Sequence, residues 1–306
     1  MTARLDIDLA GQVAVVTGTT GGMGRVIAVE LARRGAHVVT IARDPSRATT
    51  LSVEIDELPG SIELIAGDLS TRAGLSSATQ TIRDRHQTIN LLVNNAGAHF
   101  PDRRLSVDGL ELHIAVDYLP AYAMTTLLAD QLRRGCARVV NVASDTLRDT
   151  RQVKLPGPPR PPVLRTDDLR DLTRLNPAEG FVPFQAYARA KLLTVLAGYH
   201  LAREWASDGV TINAVHPGIV ATGIIDDLIP TVLRPFRGII RRTMLTPAQG
   251  AAAALRLALD PTLDGVTGRY FVRETDTATP PSSYDPAAQE LLRTASDRFL
   301  QHVPRG

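Results

Sequence analysis

The sequence predicts an α/β fold in which a parallel, doubly wound sheet carries helices on both faces. Two observations lead to it. Short β-branched apolar runs alternate with stretches of helical periodicity from residue 13 to residue 272, and such alternation builds parallel β-α-β units. The first of these runs, Val13-Ala-Val-Val-Thr17, breaks into Gly18-Thr-Thr-Gly-Gly-Met-Gly24 before a helix, an arrangement that offers backbone N–H groups to a phosphate. With no internal repeat and no clear linker, residues 1–306 read as one domain.

Bulk properties exclude several classes. A 44% hydrophobic composition is ample for a core, and a net charge of +2 gives no field for a nucleic-acid partner. The single Cys136 forbids an internal disulfide and fits a reducing compartment. No run of about 18 apolar residues occurs, and the charged N-terminus lacks a signal peptide's apolar segment. The expectation is a cytoplasmic protein without a membrane anchor, and no metal is assigned.

Within the glycine turn, Gly18 permits the sharp bend, Gly22 lets a pyrophosphate approach the backbone, and Gly24 lets the helix (25–34) pack closely. Gly35 then turns the chain into a strand, His37–Ile41. Where an acidic residue would take a ribose 2′-hydroxyl, the chain has Ala42-Arg43-Asp44. An arginine there pairs a 2′-phosphate, which favours NADP(H) over NAD(H); the plainer reading makes Arg43 a solvated loop residue and Asp44 a helix cap. Helix 45–58, strand Ile62–Ala66, helix Thr71–Arg85 and strand Asn90–Val93 continue the alternation. Asp68 and Leu69 follow one strand and Asn95, Ala96 and Gly97 the other, so both groups lie at carboxyl ends beside the glycine turn, Asp68 to meet an adenine amino group.

A helix over 109–134 contains Asp117 and Pro120. The proline takes the partner from the Val116 carbonyl and kinks the helix near 116–117, freeing a carbonyl to hold a water. Strand Arg138–Val142 ends in Ala143-Ser144-Asp145. Residues 145–180, rich in Pro, Arg and Asp, read as an inserted, mobile loop forming a lid or entrance wall, with a short helix near 167–174. Helix 184–207 places Tyr187 and Lys191 on one face. Strand Val210–Val215 leads to Pro217, Gly218, Val220 and Thr222, and the apolar segment 223–245, broken by Pro230 and Pro235, reads as a substrate cover. Helix 247–259, strand 268–272 and a tail, 274–306, with a helix near 286–300 complete the chain.

Reducing a ketone requires a hydride donor, a group that polarises the carbonyl oxygen and an acid for the forming alkoxide. Ser144 and Tyr187 can both hydrogen-bond that oxygen. A free phenol has a pKa of about 10, and the Lys191 ammonium one helical turn away lowers it. Singly, each piece is weak: a core tyrosine beside a snorkelling lysine, and a serine capping a helix, are commoner.

Jointly, Thr17-Gly-x-x-x-Gly-x-Gly24, Asn94-Asn-Ala-Gly97, Ser144, Tyr187-x-x-x-Lys191 and Pro217-Gly-x-x-x-Thr222 resemble the short-chain dehydrogenase/reductase family over nearly the whole chain. Asp108-Gly-Leu-Glu-Leu-His-Ile-Ala-Val-Asp-Tyr-Leu119, Thr246-Pro-Ala-Gln-Gly250, Gly265-x-x-Gly-x-Tyr-Phe271 and Ser283-Tyr-Asp285 are similar to its retinol-dehydrogenase-like branch. The resemblance implies a Rossmann-type sheet with an inserted loop before the catalytic helix and a C-terminal extension. It implies cofactor contacts at Gly18, Thr20, Gly22, Met23, Gly24, Asn95, Ala96, Gly97, Pro217 and Gly218, and at Val220 with Thr222 on the carboxamide. It makes Tyr187 the acid/base, Lys191 also the ribose ligand and Ser144 the carbonyl-positioning group. Family members often pair as dimers or tetramers through the helices here numbered 109–134 and 184–207.

The implied activity is NADP(H)-dependent interconversion of a ketone or aldehyde and an alcohol on a bulky apolar molecule, such as a tailoring step of secondary metabolism. One departure stands out: the family usually has Asn where this chain has Asp117. The acidic side chain preserves, weakens or redirects the redox chemistry; redirected, the same fold would run a cyclisation, elimination or epimerisation. A third class, a binding protein that keeps the fold without the reaction, would be indifferent to loss of the Tyr187 hydroxyl.

Overall fold

The computed structural model describes residues 7–44, 46, 49–151, 158–221 and 244–301. Eight strands form one sheet in the order β3-β2-β1-β4-β5-β6-β7-β8. They are β1 (Val13–Thr17), β2 (His37–Ala42), β3 (Ser61–Ala66), β4 (Leu91–Asn94), β5 (Arg138–Val142), β6 (Thr211–His216), β7 (Tyr270–Val272) and β8 (Thr275–Asp276). All neighbours run parallel except β7 and β8. That last two-residue strand was not expected; it follows a reversal at Arg273, whose φ is +55°. Because β1 pairs with β2 on one side and β4 on the other, the order switches between β1 and β4, where open sheets of this kind bind ligands.

Helices α1 (Gly22–Arg33), α2 (Thr49–Asp56) and α7 (Pro247–Leu259) cover one face, with Ile27, Leu31, Leu51, Ile55 and Leu257 in one core cluster. The other face carries α3 (Arg72–Arg85), α4 (Leu119–Leu127), α6 (Pro183–Glu204) and α8 (Pro286–Gln301), and α5 (Ala129–Arg134) continues from α4. Helix starts are written locally. Thr71 caps α3 by accepting from the Gly74 N–H, and Thr246 with Gln249 forms a reciprocal capping box on α7.

Three expectations need correction. The first helix begins at Gly22 rather than Arg25, because the last glycines of the turn already adopt its first turn. The 109–134 helix is not continuous: Glu111 pairs with Leu105 as an isolated bridge, a π-helical turn spans Ile114–Tyr118, and a second break falls at Leu128. Leu119 N–H donates to the Ile114 carbonyl five residues back. Pro120 thereby sits in the first turn of α4, where its missing N–H costs nothing. The third concerns the insert. Its described second half is not a loose lid, since Leu169, Leu172 and Leu175 are buried in the core with Ala288, Leu292 and Ala295 of α8. Two 3₁₀ turns, Thr166–Arg170 and Leu172–Arg174, replace the expected short helix, and another, Asp145–Leu147, opens the insert.

Helix α8 lies across α4 and α6. Tyr118 Oη hydrogen-bonds Ser296 Oγ at 2.6 Å and Tyr122 Oη donates to Asp297 at 2.6 Å. Residues 190–199 of α6 are all buried within the single chain. The two helices expected to pair between subunits are therefore covered by the chain's own tail. Thr222 and most of the 223–245 segment lie outside the described residues, although Leu245 returns to bridge Val220. Docking of the insert makes a stability prediction. Leu169→Ala should cost about 2–5 kcal/mol in equilibrium denaturation, a loss that a loop lying free on the surface would not show.

Candidate active site

The glycine turn is held by Asn95. Its side-chain amide donates to the carbonyls of Thr17 and Gly18 at 3.0 and 3.2 Å, and Thr17 Oγ1 accepts the N–H groups of Asn95 and Ala96, each at 3.0 Å. The Asn95 side chain is thus spent on the loop. A Cβ on Gly24 would lie 2.1 Å from the Gly18 carbonyl oxygen, so nothing larger fits there. Gly22 has a φ of +56°, a further reason for glycine at this position. Gly21 begins α1 without a side-chain cap, which leaves first-turn N–H groups to an anion, with exposed Thr20 alongside. Across the cleft, Met23 Sδ and Val220 Cγ2 would stand 2.7 and 2.5 Å from a Cβ on Gly250, so α7 draws Val220 against the loop. Gly218, after Pro217, has φ +99° and packs on Leu245.

At the end of β2, Arg43 is exposed and has no ion pair among the described residues. Asp44 is occupied, its Oδ1 accepting from the N–H and Oγ of Ser46 at 3.0 and 2.6 Å. Asp68 makes the same kind of turn with Ser70, and Leu69 is buried in the core. A cradle that excludes Cβ atoms, an uncapped helix start and a lone guanidinium fit a nicotinamide dinucleotide.

Ser144, at the carboxyl end of β5, and Tyr187, on α6, stand near enough for the serine hydroxyl to act on the phenol. Lys191 lies one turn on, its Nζ 5.7 Å from the Tyr187 ring centre, donating to the Val142 carbonyl at 3.3 Å. That ammonium is also 3.4 Å from Asp117 Oδ1, with the two side chains 4% and 0% exposed. The π-helical turn aims Asp117 at this point. Its Oδ1 also accepts the Ala98 N–H at 3.0 Å, its carbonyl accepts Thr194 Oγ1 at 3.0 Å, and Oδ2 has no hydrogen-bond partner. This Asp117 carbonyl, next along the chain from the Val116 carbonyl expected to be freed, is engaged by the chain itself.

Burial raises the Asp117 carboxyl above its ordinary pKa, against the opposing pull of Lys191 and the Ala98 N–H. Tyr187 is pushed well above the usual phenol range, first by burial and then by the Asp117 charge, while the Ser144 hydrogen bond works the other way. Tyr187 is thus a weaker acid than a lysine neighbour alone would make it.

Sequence reasoning missed the wall around Tyr187. The rings of His99 and His113 stand 6.0 and 6.1 Å from the Tyr187 ring, both nearly edge-on, and Phe100 and Phe181 flank His113. His113 accepts the Phe100 N–H at Nε2 (3.1 Å), so Nδ1 donates to Glu111 (2.8 Å), which fixes the neutral tautomer. Asn176 of the insert donates to the other Glu111 oxygen at 2.7 Å. Burial alone would raise the Glu111 carboxyl, but these bonds outweigh it and hold the group below its ordinary pKa. Only the positive φ of Asn176, +56°, marks that residue locally.

The class defined by fold and site is a nicotinamide-dependent oxidoreductase built on a Rossmann-type sheet. Residues 12–153 match the family model described as short chain dehydrogenase. Human polyprenol dehydrogenase is 31% identical over 294 residues, 93% of this chain and 84% of that protein. Bovine retinol dehydrogenase 12 is 30% identical over 302 residues, 97% of this chain and 89% of its own. A solved structure described as an NAD(P)-dependent gluconate 5-dehydrogenase from Beutenbergia cavernae, with NADP bound, superposes with a TM-score of 0.65. It is 26% identical and covers 87% of this chain and 96% of that one. The chain belongs to the short-chain dehydrogenase/reductase family and is retinol-dehydrogenase-like. Among the described residues, no helix is long and apolar enough to cross a membrane.

The close approach at Gly97 is testable. A Cβ there would lie 2.7 Å from Asp117 Oδ1 and 3.0 Å from Lys191 Nζ. Gly97→Ala should therefore lower kcat/KM by more than about tenfold in steady-state assays while the far-ultraviolet circular dichroism spectrum stays unchanged.

Proposed function

We propose that this chain is an NADP(H)-dependent reductase/dehydrogenase interconverting a ketone or aldehyde and an alcohol on a bulky apolar molecule. The observation that carries the reading is the joined set of Ser144, Tyr187 and Lys191 beside the glycine turn. The bound nicotinamide supplies or accepts the hydride. Ser144 holds the carbonyl oxygen, Tyr187 gives its proton to the forming alkoxide, and Lys191 sits behind the phenol with its charge. Arg43 supports the 2′-phosphate, since no neighbouring carboxylate among the described residues claims it. Phe100, Phe181 and Val220 support an apolar substrate, as do relatives named for a polyprenol and for retinol.

The proton-transfer alternative gains nothing from the geometry. Asp117 is fully enclosed behind Lys191 and Gly97, and a carboxylate without exposure reaches no substrate. A cofactor-binding protein without chemistry would not need Ser144, Tyr187 and Lys191 gathered at one point.

Two experiments test the reading. NADPH consumption, followed at 340 nm with long-chain allylic aldehydes and ketones, should vanish in Tyr187→Phe with cofactor affinity retained; Arg43→Ala should raise the KM for NADPH and leave that for NADH unmoved. Persistence of turnover in Tyr187→Phe would overturn the assignment. The pH profile tests Asp117. Reduction needs Tyr187 protonated, so its rate falls as the phenol ionises. Asp117→Asn removes a negative charge that opposes ionisation, and the falling limb of kcat/KM should move to lower pH.

A further inference from the structure

We infer that His37, Glu63 and His86 form a binding site for a divalent d-block cation such as Zn²⁺, remote from the catalytic cleft. The three come from different elements: His37 opens β2, Glu63 lies within β3, and His86 ends α3. Parallel register puts Val39 beside Glu63, so His37 and Glu63 share the sheet face that α3 covers, and His86 descends onto it. Their candidate ligand atoms all lie within 4.8 Å of one another. Both imidazoles aim Nε2 at the same carboxylate oxygen, at 3.5 Å from His37 and 2.7 Å from His86. Ligand atoms around tetrahedral zinc stand roughly 3.3 Å apart, so small side-chain shifts complete the geometry.

A second observation points the same way. His37 Nδ1 is 2.7 Å from Ser61 Oγ, a residue directly paired with it in the sheet. With a cation bound, the hydroxyl can accept the Nδ1 proton and hold the tautomer whose Nε2 faces the cluster, the outer-shell device found behind metal-bound imidazoles. Two nitrogens and one oxygen suit zinc, nickel or copper rather than calcium or magnesium. His86 and Glu63 are mostly shielded while His37 is one-third exposed, which leaves an entry path and room for a water as fourth ligand.

Arg85 sets the limit on affinity. Its guanidinium binds Glu63 Oε1 from the solvent side, leaving Oε2 to the imidazoles. The positive charge opposes a cation, and the side chain is exposed enough to swing away.

Tag-free protein titrated calorimetrically with Zn²⁺ is expected to take up one equivalent. His37→Ala and His86→Ala should each weaken binding more than about tenfold, Arg85→Ala should tighten it, and Cys136→Ser should leave it unchanged. Zn²⁺ should also raise the melting temperature of wild type and not of His86→Ala. NADPH affinity should be the same in all variants, since the cluster is at the amino ends of β2 and β3 and the glycine turn at the carboxyl end of β1. Absence of binding, or uptake indifferent to both histidine substitutions, would overturn the inference.

Discussion

The Lys191–Asp117 contact is the constraint on which the site turns. Two charges buried beneath Gly97 are each tolerable only because the other is present, and removing one partner of such a pair leaves an uncompensated charge that costs several kcal/mol. The pair ties α6 to the π-helical turn ahead of α4, and both to the strand end that carries Ala98. It also sets the electrostatics of the phenol. Burial and the Asp117 charge both oppose the tyrosinate and leave Tyr187 protonated.

Everything around the pair serves to hold it without water. The π-helical turn rotates Asp117 inward by accommodating one extra residue, and Pro120 then restarts the helix at a position that needs no donor. Gly97 supplies backbone thin enough to lie over both charged groups. On the outer side, α8 and the second half of the insert pack over α6, so the helix that carries Tyr187 and Lys191 is enclosed by its own chain. The Glu111–His113–Asn176 chain of hydrogen bonds joins that insert to the wall beside Tyr187, and its fixed tautomer keeps a neutral ring against the phenol.

The alternation of strands and helices was legible because buried parallel strands read as apolar runs and the glycine turn has few alternative uses. Tyr187, Lys191 and Ser144 were legible because one helical turn and one strand end bring them together. The wall was not. Glu111, His113 and Asn176 lie far apart in sequence, and no local spacing says that an asparagine in an insert meets a glutamate ahead of a helix. The docked state of the insert was hidden for the same reason: Pro and Arg between 156 and 162 advertised a loop, while Leu169, Leu172 and Leu175 carried a 3₁₀ period too short to register. The left-handed backbone of Gly22 was not legible, since proximity to a phosphate and a positive φ both call for glycine.

On the proposed reading, the departure at Asp117 favours one direction of reaction over the other. An alkoxide formed by hydride transfer is a far stronger base than any phenolate, so a phenol held protonated still delivers its proton readily once the alkoxide appears. Alcohol oxidation asks the opposite of Tyr187, a phenolate ready to accept before hydride leaves, and here the carboxylate stands against that state. An asparagine in the same place would keep a hydrogen bond from the Ala98 N–H and remove the opposing charge, giving a phenol suited to both directions. The acidic residue thus retains the fold's geometry while tilting its proton donor toward reduction.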